Sequence, residues 1–345
     1  MRKNFFTLIA MVTILCAGSV LLGARPKAAP ASSGYTLAKT ISIPGDEGWD
    51  YVGVDSAARR VYVSHGSHVV VLDADTYAIA GDIADTAGVH GVAIAEDLGR
   101  GFTSNGRTNN STFFDLKTLK PIGVYPTGTN PDAIAYEPVT KRVFTFNGRS
   151  QDATALDAMT GASLGTIALG GKPEFAAIDG AGGIYVNIED KSELVHLDAK
   201  KLTILHRWPL APCQEPSGLA IDLKNHRLFA GCDNKMMAVI DGETGKVVAT
   251  PAIGDGVDAN AFDPATNLAF ASTGDGHLTV VHEDSADKYT VIENVATKKS
   301  ARTMGLDLKT HAIFLPSAEF DAPAAGERRG KMKPGSFAVL VMTKK

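Results

Sequence analysis

The chain repeats itself seven times, and a fixed period of this length restricts the fold more than any other feature. Asp55 in "YVGVDSAARRVYVS" has counterparts at Ala95, Glu137, Asp179, Asp222, Asp263 and Asp307, spaced by 40, 42, 42, 43, 41 and 44 residues. A second marker keeps the same beat. It is an apolar run ending at Asp73, Asp115, Asp157, Asp198 and Asp241, with His282 in the sixth copy and only "SFAVLVM" in register in the seventh. Within each copy, short β-rich runs alternate with turn residues such as "DSAAR", "HGS" and "DADT". Four strands per unit at this period make an all-β, seven-bladed β-propeller of four-stranded blades.

Packing leaves its own mark. Two residues before the first marker stand Gly53, Ala93, Ala135, Ala177, Ala220, Ala261 and Gly305, all small, each followed by a larger residue such as Val54, Tyr136 or Phe262. Innermost propeller strands crowd together, so a small face must meet a bulky one. The seventh copy ends at its third strand, followed only by "TKK". Residues 35–44, "YTLAKTISIP", resemble the fourth strand of another copy. The expectation is that this N-terminal strand completes the last blade and removes an exposed edge.

The N-terminus reads differently. Arg2 and Lys3 precede an apolar run from Phe5 to Leu22, followed by small residues in "ARPKAAPAS". That is the pattern of a secretory signal over 1–24, cleaved between 24 and 31, with a linker at 25–34 and a single propeller domain at 35–345. An uncleaved anchor is the alternative, since the run is nearly long enough to span. Leu15 before Cys16 disfavours a lipoprotein, and no later apolar run is long enough to cross a membrane. The chain is expected to be periplasmic or secreted, and a monomer.

Copies of the pattern Asp-x-x-x-x-Arg-apolar-Tyr-Val, followed by "VVVLDADT" and its relatives, resemble the YVTN-repeat, YncE-like propeller family over residues 35–342. The resemblance implies a seven-bladed exported propeller. It implies little about chemistry, because related propellers include binding proteins, lactonases and lyases.

Position matters more than motif for function. Five residues before the first marker stand Asp50, His90, Asp132, Glu174, Ser217, Asp258 and Arg302. Five of the seven are Asp, Glu or His, types that make up 47 of the 345 residues. The repeat register places them in a ring at one mouth of the channel. One reading is a hydrated mouth that favours polar residues. The other is a site, where converging carboxylates and an imidazole need a cation or proton to offset their charge. Asp50, His90, Asp132, Glu174 and Asp258 then become candidate ligands of one divalent cation, Ca²⁺, Mg²⁺, Mn²⁺ or Zn²⁺. Arg302 would pair an acid or meet a substrate carboxylate.

The turns between second and third strands fall on the same face. They bring His65, Arg107 in "NGRTNN" and Arg149 in "NGRSQ". Asn-Gly suits a hairpin turn, whereas the arginines are not needed for it. Trp49 beside Asp50 is either a stacking wall or ordinary packing. An insertion at 318–335, "AEFDAPAAGERRGKMKPG", is a candidate lid or a disordered excursion on this face, and its Arg328, Arg329, Lys331 and Lys333 could offset the acidic ring.

Past the leader only Cys213 and Cys232 remain. Both map to one face of the fifth copy, and in an exported chain they are expected to form a disulfide. A thiolate metal or redox site is the alternative, without a CxxC or CxxCH motif to support it.

No G-x-S-x-G elbow, P-loop or Rossmann fingerprint is present, so no nucleotide, flavin or haem motif can be assigned. From Arg25 onward the chain carries 32 basic and 38 acidic residues. That balance and the acidic ring disfavour the third possibility, single-stranded nucleic-acid binding through the arginine loops. The leading expectation is an exported propeller that binds a small molecule, a divalent cation or another exported protein at the channel mouth. The alternative is a metal-assisted hydrolase or lyase, lactonase-like, with His90 or His65 as base.

Overall fold

The computed structural model describes residues 1, 32–323, 326 and 330–345. The expected leader and its cleavage region lie outside the described residues. From Tyr35 onward the chain forms seven four-stranded antiparallel sheets. In six of the sheets the four strands follow in sequence order, so every connection within those blades is a hairpin, and in the seventh the N-terminal strand takes the outer place. Blade 2, for example, runs Val89–Ala95, Arg100–Asn105, Asn110–Asp115 and Pro121–Pro126.

Turn chemistry explains both sequence markers. The Asp55 carboxylate accepts the backbone N–H of Ala58 at 2.7 Å, closing the turn between first and second strands. Glu137 does the same with Val139 and Thr140, and Asp222 with Lys224 and Asn225. Asp73 accepts from Asp75 and Thr76 in the turn between third and fourth strands, and Asp157 from Met159 and Thr160. These are side chains that mimic a backbone turn. The bonds from the backbone and the threonine hydroxyl hold Asp73, Asp115 and Asp157 below the usual carboxylate range. Their contribution to stability is present above that range and is lost as pH falls through the lowered values. Ala95 cannot make such a turn. There a 3₁₀ segment, Glu96–Leu98, takes its place and ends at Gly99 with φ 64°.

The arginine in the repeat is an inter-blade staple. Arg142 at the start of its second strand donates to the carbonyls of Ala199 and, at 2.8 Å, Lys200 in the next blade. Arg60 reaches Leu116, Arg100 reaches Met159, and Arg227 reaches Ala286 in the same way. In blade 4 the arginine is replaced, and the Tyr185 hydroxyl donates to Gly242 of blade 5 at 2.9 Å. The arginine bonds, being charge-assisted, are worth about 1.5–3 kcal/mol each where they are shielded from water.

The small column sits where blades converge. A Cβ on Gly305 would lie 2.7 Å from Cγ1 of Val52 and 2.8 Å from Cγ2 of Val54. The ring closes as expected. Tyr35–Ser42 pairs antiparallel with Ala338–Lys344, two residues beyond the predicted end at 342. Tyr35 is buried, packs edge-on against Phe270 of blade 6, and donates its hydroxyl to the carbonyl of His311 at 2.9 Å. Cys213 and Cys232 form the disulfide, tying the lead-in of blade 5 to the end of its second strand.

Two outcomes follow from these closures. Deleting Tyr35–Ser42 should expose the edge of Ala338–Lys344 and abolish the cooperative thermal transition. An unchanged melt would mean that the strand does not close the ring. Replacing both cysteines with serine should lower the unfolding free energy by roughly 3 kcal/mol for a loop of this length, measured by urea denaturation.

Candidate functional site

In each blade the entry to the inner strand and the turn between second and third strands lie on one face. The backbone ties them together. Gly106 N–H donates to Gly88, Gly148 to Asn130, and Gly274 to Gly256. A serine nine residues after the first marker fixes the strand entry. Ser64 Oγ accepts from the N–H of Asp50 and donates to the carbonyl of Tyr51. Ser104 Oγ accepts from Gly91 of its own blade and donates to the Asp132 carbonyl of the next. Ser272 makes the corresponding bond to Arg302. Sequence reasoning overlooked this column, although serine recurs there three times.

The ring members come from consecutive blades, and the structure sorts them into three groups. Asp258 is ion-paired with Arg302 and accepts a hydrogen bond from Ser217 Oγ at 3.0 Å. Glu174 lies 2.5 Å from Lys172 Nζ, which also pairs with Glu189. Between them His90 Nδ1 stands 2.6 Å from Asp50 Oδ2 and 3.6 Å from Asp132 Oδ1. Ligand atoms of Asp50, His90 and Asp132 all lie within 4.8 Å of one another, the spread of a metal-binding triad. The expectation of five mutually repelling groups therefore needs revision. Two acids carry a permanent cation partner, and Lys172 was not foreseen.

Burial sets the electrostatics. It opposes the charge on His90, but the Asp50 hydrogen bond and the charges of Asp132, Asp50 and Glu174 outweigh it and lift the imidazole to about 9. At neutral pH His90 is therefore an imidazolium that offsets one of the two carboxylate charges of the triad. Its contribution to folding is complete below its ordinary range and is lost as pH rises through about 9. Burial and Asp50 raise Asp132 to about 6, against the pull of His90. Burial raises Asp258 to about 6 as well, against Arg302. Burial and Asp132 push Glu174 up, against Lys172. Tyr51, whose ring packs on Phe175 at 4.8 Å, is raised by burial and by the surrounding carboxylates, so its hydroxyl stays neutral among them.

A cleft of about 430 Å³ opens beside the triad, lined in part by Trp49, Asp50, His90, Arg107, Asn130 and Arg302. Trp49 is both wall and packing, since it also stacks on Phe337 at 5.2 Å. Gly106 of the first "NGR" turn is needed for close approach, because a Cβ there would sit 2.6 Å from His90 Nε2. The asparagines of these turns are buried and structural. Asn105 bonds Asn110 and Thr112, and Asn147 bonds Asp152 and Thr154.

Other predicted residues lie elsewhere. His65 is fully buried, stacked on Phe337 at 4.4 Å, with Nε2 at Pro44 O, so it presents no base to the mouth. Arg149 is exposed and does not line the cleft. The described ends of the 318–335 insertion are anchored, by a bridge between Phe320 and Met332 and by Gly335 N–H on Asp46. Phe320 lies 6.0 Å from Trp49. Arg328 and Arg329 fall outside the described residues.

No protein-family model matches the chain, and no curated protein sequence matches it. Solved structures share its fold. The Kuenenia stuttgartiensis hydrazine synthase aligns with a TM-score of 0.68 at 13% identity, covering 79% of this chain and 94% of that one. The RRP9 WD40 repeats align with a TM-score of 0.73 at 9% identity, covering 91% and 99%. This chain carries a single Trp-Asp dipeptide, Trp49–Asp50, rather than one per repeat.

The sorting of the ring predicts unequal costs. Asp258→Asn should strand the half-buried Arg302 and destabilise the protein by about 2 kcal/mol, between values for exposed and buried pairs. Thermal and urea melts would register it. A neutral result would show that the Arg302 pair is only a surface contact.

Proposed function

We propose that this is an exported, YVTN-like propeller whose channel mouth binds a divalent cation on Asp50, His90 and Asp132. Seven β-propeller blades in a ring are established by the sheet topology, and the disulfide suits an oxidising compartment. One observation carries the cation reading. Of the three groups in the ring, the triad alone balances its acids with a titratable imidazole instead of a lysine or arginine. A divalent ion can take the place of that proton, whereas it would have to expel Arg302 or Lys172 from the other groups. Two carboxylates and an imidazole suit Mn²⁺ or Zn²⁺ better than an all-oxygen set would.

The enzymatic alternative uses the same ion. Metal-assisted hydrolysis or elimination needs a proton carrier, and His90 would be spent as a ligand. Glu174, held above the usual range by burial and by Asp132, is then a group within the ring that can carry a proton near neutral pH. A screen of lactones and esters with ion-loaded protein separates an enzyme from a binding module.

The cation itself is tested by thermal melts of chelator-treated protein with added Mn²⁺, Zn²⁺ or Ca²⁺. The wild type should be stabilised, by about 2.7 kcal/mol at one hundred times the dissociation constant. Asp132→Asn should be as stable as the wild type without ion and should show no response to it. If no ion shifts the wild-type melt, the cation reading is wrong.

A further inference from the structure

Two charges on the cleft wall, Arg302 and Arg107, remain to be accounted for once the triad has been assigned to a cation. Asp50 and Asp132 together offset a divalent ion, with His90 neutral when it is a ligand. Arg302 is matched by Asp258. Arg107 is the remaining charged group on the cleft lining, and it is exposed. Among the described residues it forms no ion pair and no side-chain hydrogen bond. The fold nevertheless holds its base firmly. A Cβ on Gly88 would lie 2.7 Å from both N and Cβ of Arg107, so the loop backbone is pressed against the strand entry two residues from His90. Asn130 shares this wall, and its side-chain amide is likewise not hydrogen-bonded to a described residue.

Three protein ligands leave coordination positions open on a divalent ion, which is the arrangement of sites that receive a further ligand. A guanidinium with all its donors free beside such an ion favours an anionic oxygen group, which it can meet with two parallel hydrogen bonds. The cleft is large enough for a small organic molecule.

We infer, building on the cation reading above, that the cleft takes a small anionic chelator, whose carboxylate or phosphate oxygens bridge the triad-bound ion and Arg107. Asn130 supplies a neutral donor and acceptor to the same ligand, and Trp49 forms the apolar wall. The ion and the arginine act together. Without the ion, Asp50 and Asp132 repel an anion; without Arg107, the ion-loaded triad has no net charge to attract one.

Calorimetric titration of the folded protein tests this with glycolate and inorganic phosphate as probes and ethylene glycol as the uncharged chelator. Each is titrated with and without saturating Mn²⁺. Glycolate, phosphate or both should bind the Mn²⁺-loaded wild type, at least tenfold more tightly than the chelator-treated protein. Arg107→Ala should weaken that binding by about tenfold, the scale of one charge-assisted contact, and leave Mn²⁺ affinity unchanged. Arg149→Ala, in the equivalent turn away from the cleft, should alter neither. A preference for glycolate marks a carboxylate ligand, and a preference for phosphate marks a phosphoryl one. Equal anion binding by Arg107→Ala, or ethylene glycol binding as well as glycolate, overturns the inference while leaving the cation reading intact. If Mn²⁺ fails to bind the wild type, the titrations are repeated with Zn²⁺ and Ca²⁺, and failure of all three to bind overturns both.

Discussion

Everything at the mouth of this propeller depends on how closely its inner strands approach one another. Gly305 meets Val52 and Val54 with no room for a methyl group, and Gly53 meets the Val92 carbonyl at 3.3 Å from where its Cβ would be. Because the strands cannot slide past such contacts, residues at the same offset in different blades arrive at the same level. Asp50, His90 and Asp132 are 40 and 42 residues apart in sequence, yet the packing brings their side chains to one point. The inter-blade arginines act outside this ring. By donating to turn carbonyls of the neighbouring blade, Arg60, Arg100, Arg142 and Arg227 fix the angle between blades that the inner contacts leave adjustable.

The mouth is an acidic ring with unequal members. Permanent cations hold Asp258 and Glu174, so these acids are parts of local pairs. The triad has only a proton to share, and although burial opposes the imidazolium, the Asp50 hydrogen bond and the neighbouring carboxylate charges keep that proton on His90. A group that must be charged to balance two carboxylates, and that can also give its proton away, is chemically suited to exchange a proton for a metal ion. The serines behind the strand entries fix the backbone that carries these acids, Ser64 accepting from the Asp50 N–H and Ser104 donating to the Asp132 carbonyl.

The loops contribute by proximity more than by motif. The "NGR" turn of blade 2 uses its asparagine to bond within the turn, its glycine to let the backbone close over His90, and its arginine to face the cleft. The same three letters in blade 3 keep the buried asparagine but point the arginine into solvent away from the cleft. Identical local sequences thus acquire different roles because neighbouring blades present different partners.

The architecture was legible in the chain itself. A period of 40–44 residues with two acidic turn markers, a small-residue column and an orphan first strand can be satisfied only by a closed ring of four-stranded units, because each feature is a local backbone requirement repeated in register. The register also named the ring, since equivalent offsets must share a level. The pairing of Cys213 with Cys232 followed from the same mapping. What the repeat could not reveal was which ring members face one another and which are already paired. Lys172 lies outside the aligned position, His65 turns inward onto Phe337, and Arg302, although on the cleft wall, is already paired with Asp258. Those outcomes depend on side-chain direction and on distances of a few ångströms between different blades. A periodic sequence specifies only the level of each residue, and tertiary packing alone decides its neighbours.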